Sequence, residues 1–112
     1  MKNRTQQLQV SKETYKKVME RDEGCIFCRQ GYNMHPKFPT TMDCVIMDAM
    51  HFINKSKGGL GIKQNLAIGC RFHHGHLDNG NKGQRQEMLE IFEEYLKSKY
   101  EDWNKENLVY RK

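Results

Sequence analysis

Several signals are missing from this sequence, and each absence narrows the reading. No apolar stretch is long enough to cross a bilayer, and the opening segment MKNRTQQLQV carries no hydrophobic signal core. A cytoplasmic, reducing setting without disulfides is therefore expected, and no membrane partner. Proline is scarce: both residues fall in QGYNMHPKFPTTM, which reads as a loop. No internal repeat and no low-complexity segment is present. Hydrophobic residues are also in short supply, at 37% of 112 positions against 29% charged, so the core must be small for the length. A domain of this size often needs a staple, either a metal or disulfides. Acidic residues are outnumbered, 14 against 19 Lys plus Arg, and the resulting formal charge of +5 favours a polyanionic partner without identifying it.

What is present organises into short elements. Residues 1–10 read as a polar arm, and 11–112 as a single domain. SKETYKKVMERD starts at a good N-cap, Ser11, and places Tyr15, Val18 and Met19 on one face of a short helix. GCIFC reads as a tight metal-binding knuckle. DCVIMDAMHFI is rich in strand formers and should hold one strand, or two turned on each other. NKSKGGLG reads as a flexible basic turn, KQNLAIGC leads into a second knuckle, and HHGHLD reads as a short helix. QRQEMLEIFEEYLKSKY is the clearest helix: Met88, Ile91, Phe92, Tyr95, Leu96 and Lys99 follow helical spacing, widened by Leu89. That stripe reads as core packing. In the tail EDWNKENLVYRK, Trp103, Leu108 and Tyr110 are apolar anchors expected to pack the chain end back on the domain.

The four cysteines are not scattered at random. Cys25 and Cys28 are separated by two residues, and so are Cys70 and His73. Two such pairs far apart in sequence can close a tetrahedral site of three sulfurs and one nitrogen, which suits structural zinc. His74 and His76 compete with His73 for the fourth place. Cys44 is another candidate, but it has no partner at ligand spacing and reads better as a small buried apolar residue.

A second constellation has the look of catalysis. His74 and Asp78, four residues apart, share a helical face and suit a divalent ion such as Mg2+, Mn2+ or Zn2+. His51, at a strand end before a basic turn, can serve as a general base on water. Lys55 and Lys57 can hold adjacent phosphates, and Gly58, Gly59 and Gly61 allow a sharp turn or close backbone approach. His35 reads as a loop residue, and His76 as pointing away from His74 and Asp78.

The segment AMHFINKSKGGLGIKQNLAIGCRFHHGHLDNG closely resembles the HNH endonuclease family, the small phage-type proteins in particular, and the similarity extends from Cys25 over most of the chain. The resemblance implies a small α+β, zinc-stapled ββα-metal domain with flanking helices, its core motif in residues 25–79 and a C-terminal helix and tail in 84–112. It implies His51 as the general base, Asn65 as the residue that fixes the loop, and His74 as a metal ligand, with Asp78 a further ligand one turn later. It implies DNA as substrate, structural Zn2+, a catalytic cation such as Mg2+, Mn2+ or Ni2+, and the cytoplasm of a bacterial host, with room for a phage or host protein partner. Three positions depart from the family pattern. His73 replaces the second cysteine of the later pair, Lys55 replaces an arginine, and Met50 stands where many relatives carry an Asp or His ligand. On this reading Met50→Asp should tighten hard-metal binding, and Asp48 is too far along the strand to be a good ligand. The competing expectation is a non-catalytic, zinc-stapled basic domain that holds DNA or a protein partner.

Overall fold

The structure, a computed structural model, describes residues 3–111; Met1, Lys2 and Lys112 of the two expected end segments lie outside the described residues. The fold is α+β: helices α1 (Arg4–Leu8), α2 (Lys12–Asp22), α3 (Ile26–Arg29) and α4 (Met42–Val45) precede strand β1 (Met47–His51). Strand β2 (Leu66–Cys70), α5 (Arg71–Asp78) and α6 (Arg85–Lys99) follow. No helix among the described residues is long and apolar enough to cross a membrane.

The two strands pair antiparallel, with Asp48 opposite Gly69 and Met50 opposite Ala67. Alternation then divides the hairpin into two faces. Ala49, Leu66 and Ile68 pack against Val18, Tyr15 and Met19 of α2. Met50 and Ala67 join a larger cluster with Phe27 of α3, Leu77 of α5, and Met88, Phe92 and Leu96 of α6. The buried residues of α6 fall at four-residue spacing, so the stripe read from the sequence is core, as expected there.

The hairpin's outer edges are treated differently. On the β2 side, fully buried Asp22 accepts the Ile68 N–H at 2.8 Å and Arg21 donates to the Leu66 carbonyl at 2.6 Å, so the end of α2 covers that edge. Asp22 also accepts from the Tyr95 hydroxyl, which ties α6 to the same point. The β1 edge borders an open groove.

The structure refines three expectations. Residues 3–10 of the expected arm are not a bare arm: α1 is closed by a reciprocal Asn3–Gln6 capping box, and Leu8 is buried. The run DCVIMDAMHFI begins with a helical turn, α4, before a single strand, because Thr41 starts a turn that Ile46 closes by donating to the Met42 carbonyl. The basic turn is not a free loop. Leu60 N–H donates to the Leu108 carbonyl, Tyr110 N–H to Gly58, and Gly61 N–H to Gln7, so both ends of the chain hold it. The glycines permit this: a Cβ on Gly59 would lie 1.6 Å from the Ile53 carbonyl oxygen, and one on Gly61 2.1 Å from that of Gln9. Trp103 supports the same loop, donating its indole N–H to Gln64 at 2.7 Å, and Leu108 is buried as the tail reading expects.

Candidate functional site

Cys25 is the N-cap of α3 and Cys28 lies in its single turn; Cys70 ends β2 and His73 lies in the first turn of α5. Packing of α3 against β2 brings the four together. Their ligand atoms have the spacing of a tetrahedron's edges. With Zn–S near 2.3 Å and Zn–N near 2.05 Å, ideal edges are about 3.8 Å for S–S and about 3.6 Å for S–N. The Cys28–Cys70 sulfurs are 3.7 Å apart, and His73 Nδ1 lies 3.6, 3.5 and 3.2 Å from Cys25, Cys28 and Cys70. His73 Nε2–H donates to the Tyr32 carbonyl at 2.6 Å, which fixes the tautomer with Nδ1 free for metal. Without a cation the thiols cannot ionise together. The Cys70 hydrogen bond holds Cys25 down to about 3, while burial and the Cys25 charge push Cys28 up to about 11. Hydrogen bonding to Cys25 pushes Cys70 upward as well. A divalent ion removes this competition, and the four residues are compatible with zinc. The alternatives fall away by geometry. His74 faces elsewhere, His76 lies edge-on to Phe72 at 4.5 Å, and the Cys44 sulfur lies outside the four-atom cluster, 3.1 Å from the Thr41 hydroxyl.

A second group, His35, Asp43 and Cys44, also lies within reach of one ion. Its imidazole is poorly disposed. Nδ1 accepts the Lys37 N–H at 2.9 Å, so Nε2 carries the ring proton and faces Asp43 at 3.8 Å.

The groove along the free edge of β1 has a volume of about 1130 Å³ and is lined from both faces of the hairpin. His51 and Asp48 have opposite strand parity, yet both line it, because the groove wraps around the edge. On the α5 side, His74 Nδ1 lies 3.0 Å from Asp48 and Nε2 3.4 Å from Asp78. Arg71 holds Asp48 through two contacts at 3.0 and 3.3 Å. Burial raises the Asp48 carboxyl, but the hydrogen bonds from Arg71 and His74 outweigh it and leave the pKa below the usual value. On the α2 side, His51 Nε2 lies 2.9 Å from the Leu8 carbonyl. Burial lowers the pKa of His51, the Leu8 hydrogen bond opposes this, and the charges of Lys55 and His74 add to the lowering, so the ring is neutral near pH 7.

Asn65 is fully buried beneath the loop. Its Oδ1 accepts the Ile53 N–H at 2.9 Å, and its Nδ2 donates to the Ile53 and Leu60 carbonyls at 3.2 and 2.8 Å. Lys55 lines the groove; Lys57 is exposed and not among the lining residues.

The sequence reading takes His74 and Asp78 as the main ligands, judges Met50 a poor one where many relatives carry a ligand, and sets Asp48 aside; the structure places Asp48 beside His74 and Met50 in the core. The register places Asp48 opposite Gly69, one residue before the strand passes through Cys70 into α5, so it lies beside His74. Met50 is two pairs further from α5 and fully buried, its thioether filling the space above Gly69. Lys12, Lys16 and Arg71, also missed, line the same groove. The only sequence signal for Arg71 was its three-residue spacing from His74 on one helix. For the N-terminal segment it was the Asn3–Gln6 capping spacing before Leu8. Comparison with known protein families, with curated proteins and with solved structures found no match.

Proposed function

We propose that the chain is a metal-dependent DNA endonuclease of the HNH type, acting on phosphodiester bonds in the cytoplasm. One observation carries this reading: a single groove gathers a neutral histidine, a histidine between two carboxylates, and a basic rim of Lys12, Lys16 and Lys55. The chain order β1, β2, α5, with β1 and α5 lining the groove, supports a ββα-metal arrangement, and the Cys25, Cys28, Cys70 and His73 cluster is its structural zinc site. An imidazole nitrogen with a carboxylate beside it suits a divalent cation such as Mg2+, Mn2+ or Ni2+. His74 would hold it through one ring nitrogen, with Asp48 as the carboxylate on the Nδ1 side or Asp78 on the Nε2 side. When bound, the cation supplies charge stabilisation for the phosphate oxygen and leaving group.

This chain's own residues do the rest. His51 accepts a proton from the attacking water. Asn65 fixes the loop that carries Lys55 and Lys57; Lys12, Lys16 and Lys55 hold phosphates in the groove, and exposed Lys57 reaches a phosphate outside it. The test is cleavage of supercoiled plasmid with each cation. Wild type should cut, and His51→Ala should lose about 10²–10⁴-fold in rate while keeping its DNA affinity, because only proton transfer is removed. DNA that is bound and never cut would instead establish a zinc-stapled basic binding module.

A further inference from the structure

We infer that the N-terminal segment, residues 3–10, is part of the catalytic apparatus, and that the Leu8 backbone carbonyl is the positioning group for His51. The inference rests on His51 being the general base. The contact is long-range: 43 positions separate the two residues, and Nε2 lies 2.9 Å from the carbonyl oxygen. A carbonyl only accepts, so Nε2 bears the ring proton and Nδ1 keeps the lone pair. That selects one tautomer and one ring orientation. It also gives the imidazolium formed by proton abstraction an aligned acceptor, the role a carboxylate plays in a Ser-His-Asp triad.

The segment is built to deliver that carbonyl. The Asn3–Gln6 capping box closes α1, and Gln9 ends it by donating its N–H to Thr5. Leu8 is 5% exposed and anchors the turn. Gly61 N–H donates to the Gln7 carbonyl at 2.9 Å, and Gly61 has no side chain to hold the segment away. A Cβ there would lie 2.1 Å from the Gln9 oxygen and 3.0 Å from the Leu8 oxygen itself. The third glycine of GGLG therefore serves the approach of the N-terminal segment, and the spacing from Gly61 to Leu8 to His51 forms one device.

The experiment reads the ring and the reaction separately, on the full chain. Long-range ¹H–¹⁵N NMR of wild type should show His51 as the Nε2–H tautomer with a slowly exchanging ring proton. Gly61→Ala should lose that protected proton and lower kcat at least about tenfold, with KM and zinc content unchanged. If Gly61→Ala fails to fold, Leu8→Ala removes the anchor without a clash and should give the same two losses. A wild-type ring protonated on Nδ1, or one with no protected Nε2 proton, overturns the inference. So does a variant that loses the protected proton and still cuts at the wild-type kcat. A protected Nε2 proton in a protein that cuts nothing overturns the positioning role through the nuclease reading, with the hydrogen bond intact.

Discussion

Met50→Asp separates the sequence reading of the site from the structural one. If position 50 faced the metal, a carboxylate there would complete the ligand set and tighten binding of Mg2+ or Mn2+. The structure gives the opposite result. Met50 has no exposed surface and belongs to the same apolar cluster as Ala67, Leu77, Met88 and Phe92. Losing its buried side chain forfeits about 1.5–3 kcal/mol of apolar burial. The shorter residue leaves a gap over Gly69, whose Cβ position lies 2.3 Å from the Met50 sulfur. A buried carboxyl without a partner adds at least about 1–3 kcal/mol. Together these give a loss of about 2.5–6 kcal/mol, so about 4 kcal/mol is the central expectation, against a total stability of about 5–15 kcal/mol for a small domain. At about 4 °C per kcal/mol, Tm should fall by about 15 °C. Burial raises the pKa of the introduced carboxyl, so the deficit should be smaller at pH 4, where it is protonated, than at pH 8. Differential scanning calorimetry at both pH values and Mn2+ titration are the assays. An unchanged Tm together with tighter Mn2+ binding would show that side chain 50 reaches the groove, and the placement of β1 against α5 would be wrong.

Other perturbations test the remaining parts. Zinc in such sites contributes about 10–16 kcal/mol of binding free energy, comparable with or larger than the stability of the whole domain. Strong chelators, or Cys28→Ser, should therefore release zinc and abolish cooperative unfolding by circular dichroism; a metal-free protein with native NMR dispersion would contradict the staple. Asp48→Asn should weaken Mn2+ binding more than Asp78→Asn, because Asp48 is held by Arg71 and its side chain is 18% exposed against 59% for Asp78. Calorimetric titrations in the reverse order would return the main role to Asp78. His51 is depressed below the ordinary histidine value of about 6.5. Its protonated form cannot accept a proton, so cleavage should hold from neutral pH down to below 6.5 and then fall. A rate that already declines between pH 8 and 7 would assign the base elsewhere.

Some of this was fixed by local chemistry that spacing reveals. A C-x-x-C pair can occupy two corners of one tetrahedron wherever it sits, so the zinc-compatible Cys/His cluster was legible before any fold was known. Helical periodicity likewise exposed the buried stripe of α6, because 3.6 residues per turn is a property of the backbone itself. His74 and Asp78 were visible as a pair for the same reason.

The groove was not legible in this way. Strand parity told that Asp48 and Met50 share a face, but which of them meets α5 depends on register and on where β2 turns into the helix. Only pairing across the hairpin, with Gly69 opposite Asp48, puts the carboxylate beside His74 and the thioether in the core. The N-terminal segment was harder still. Its contact with His51 is a backbone carbonyl, which every residue carries and no side-chain pattern marks. Local sequence determined the Cys/His cluster and the longer helices; long-range packing decided which groups share the groove, because those groups come from elements with no common period and no fixed separation.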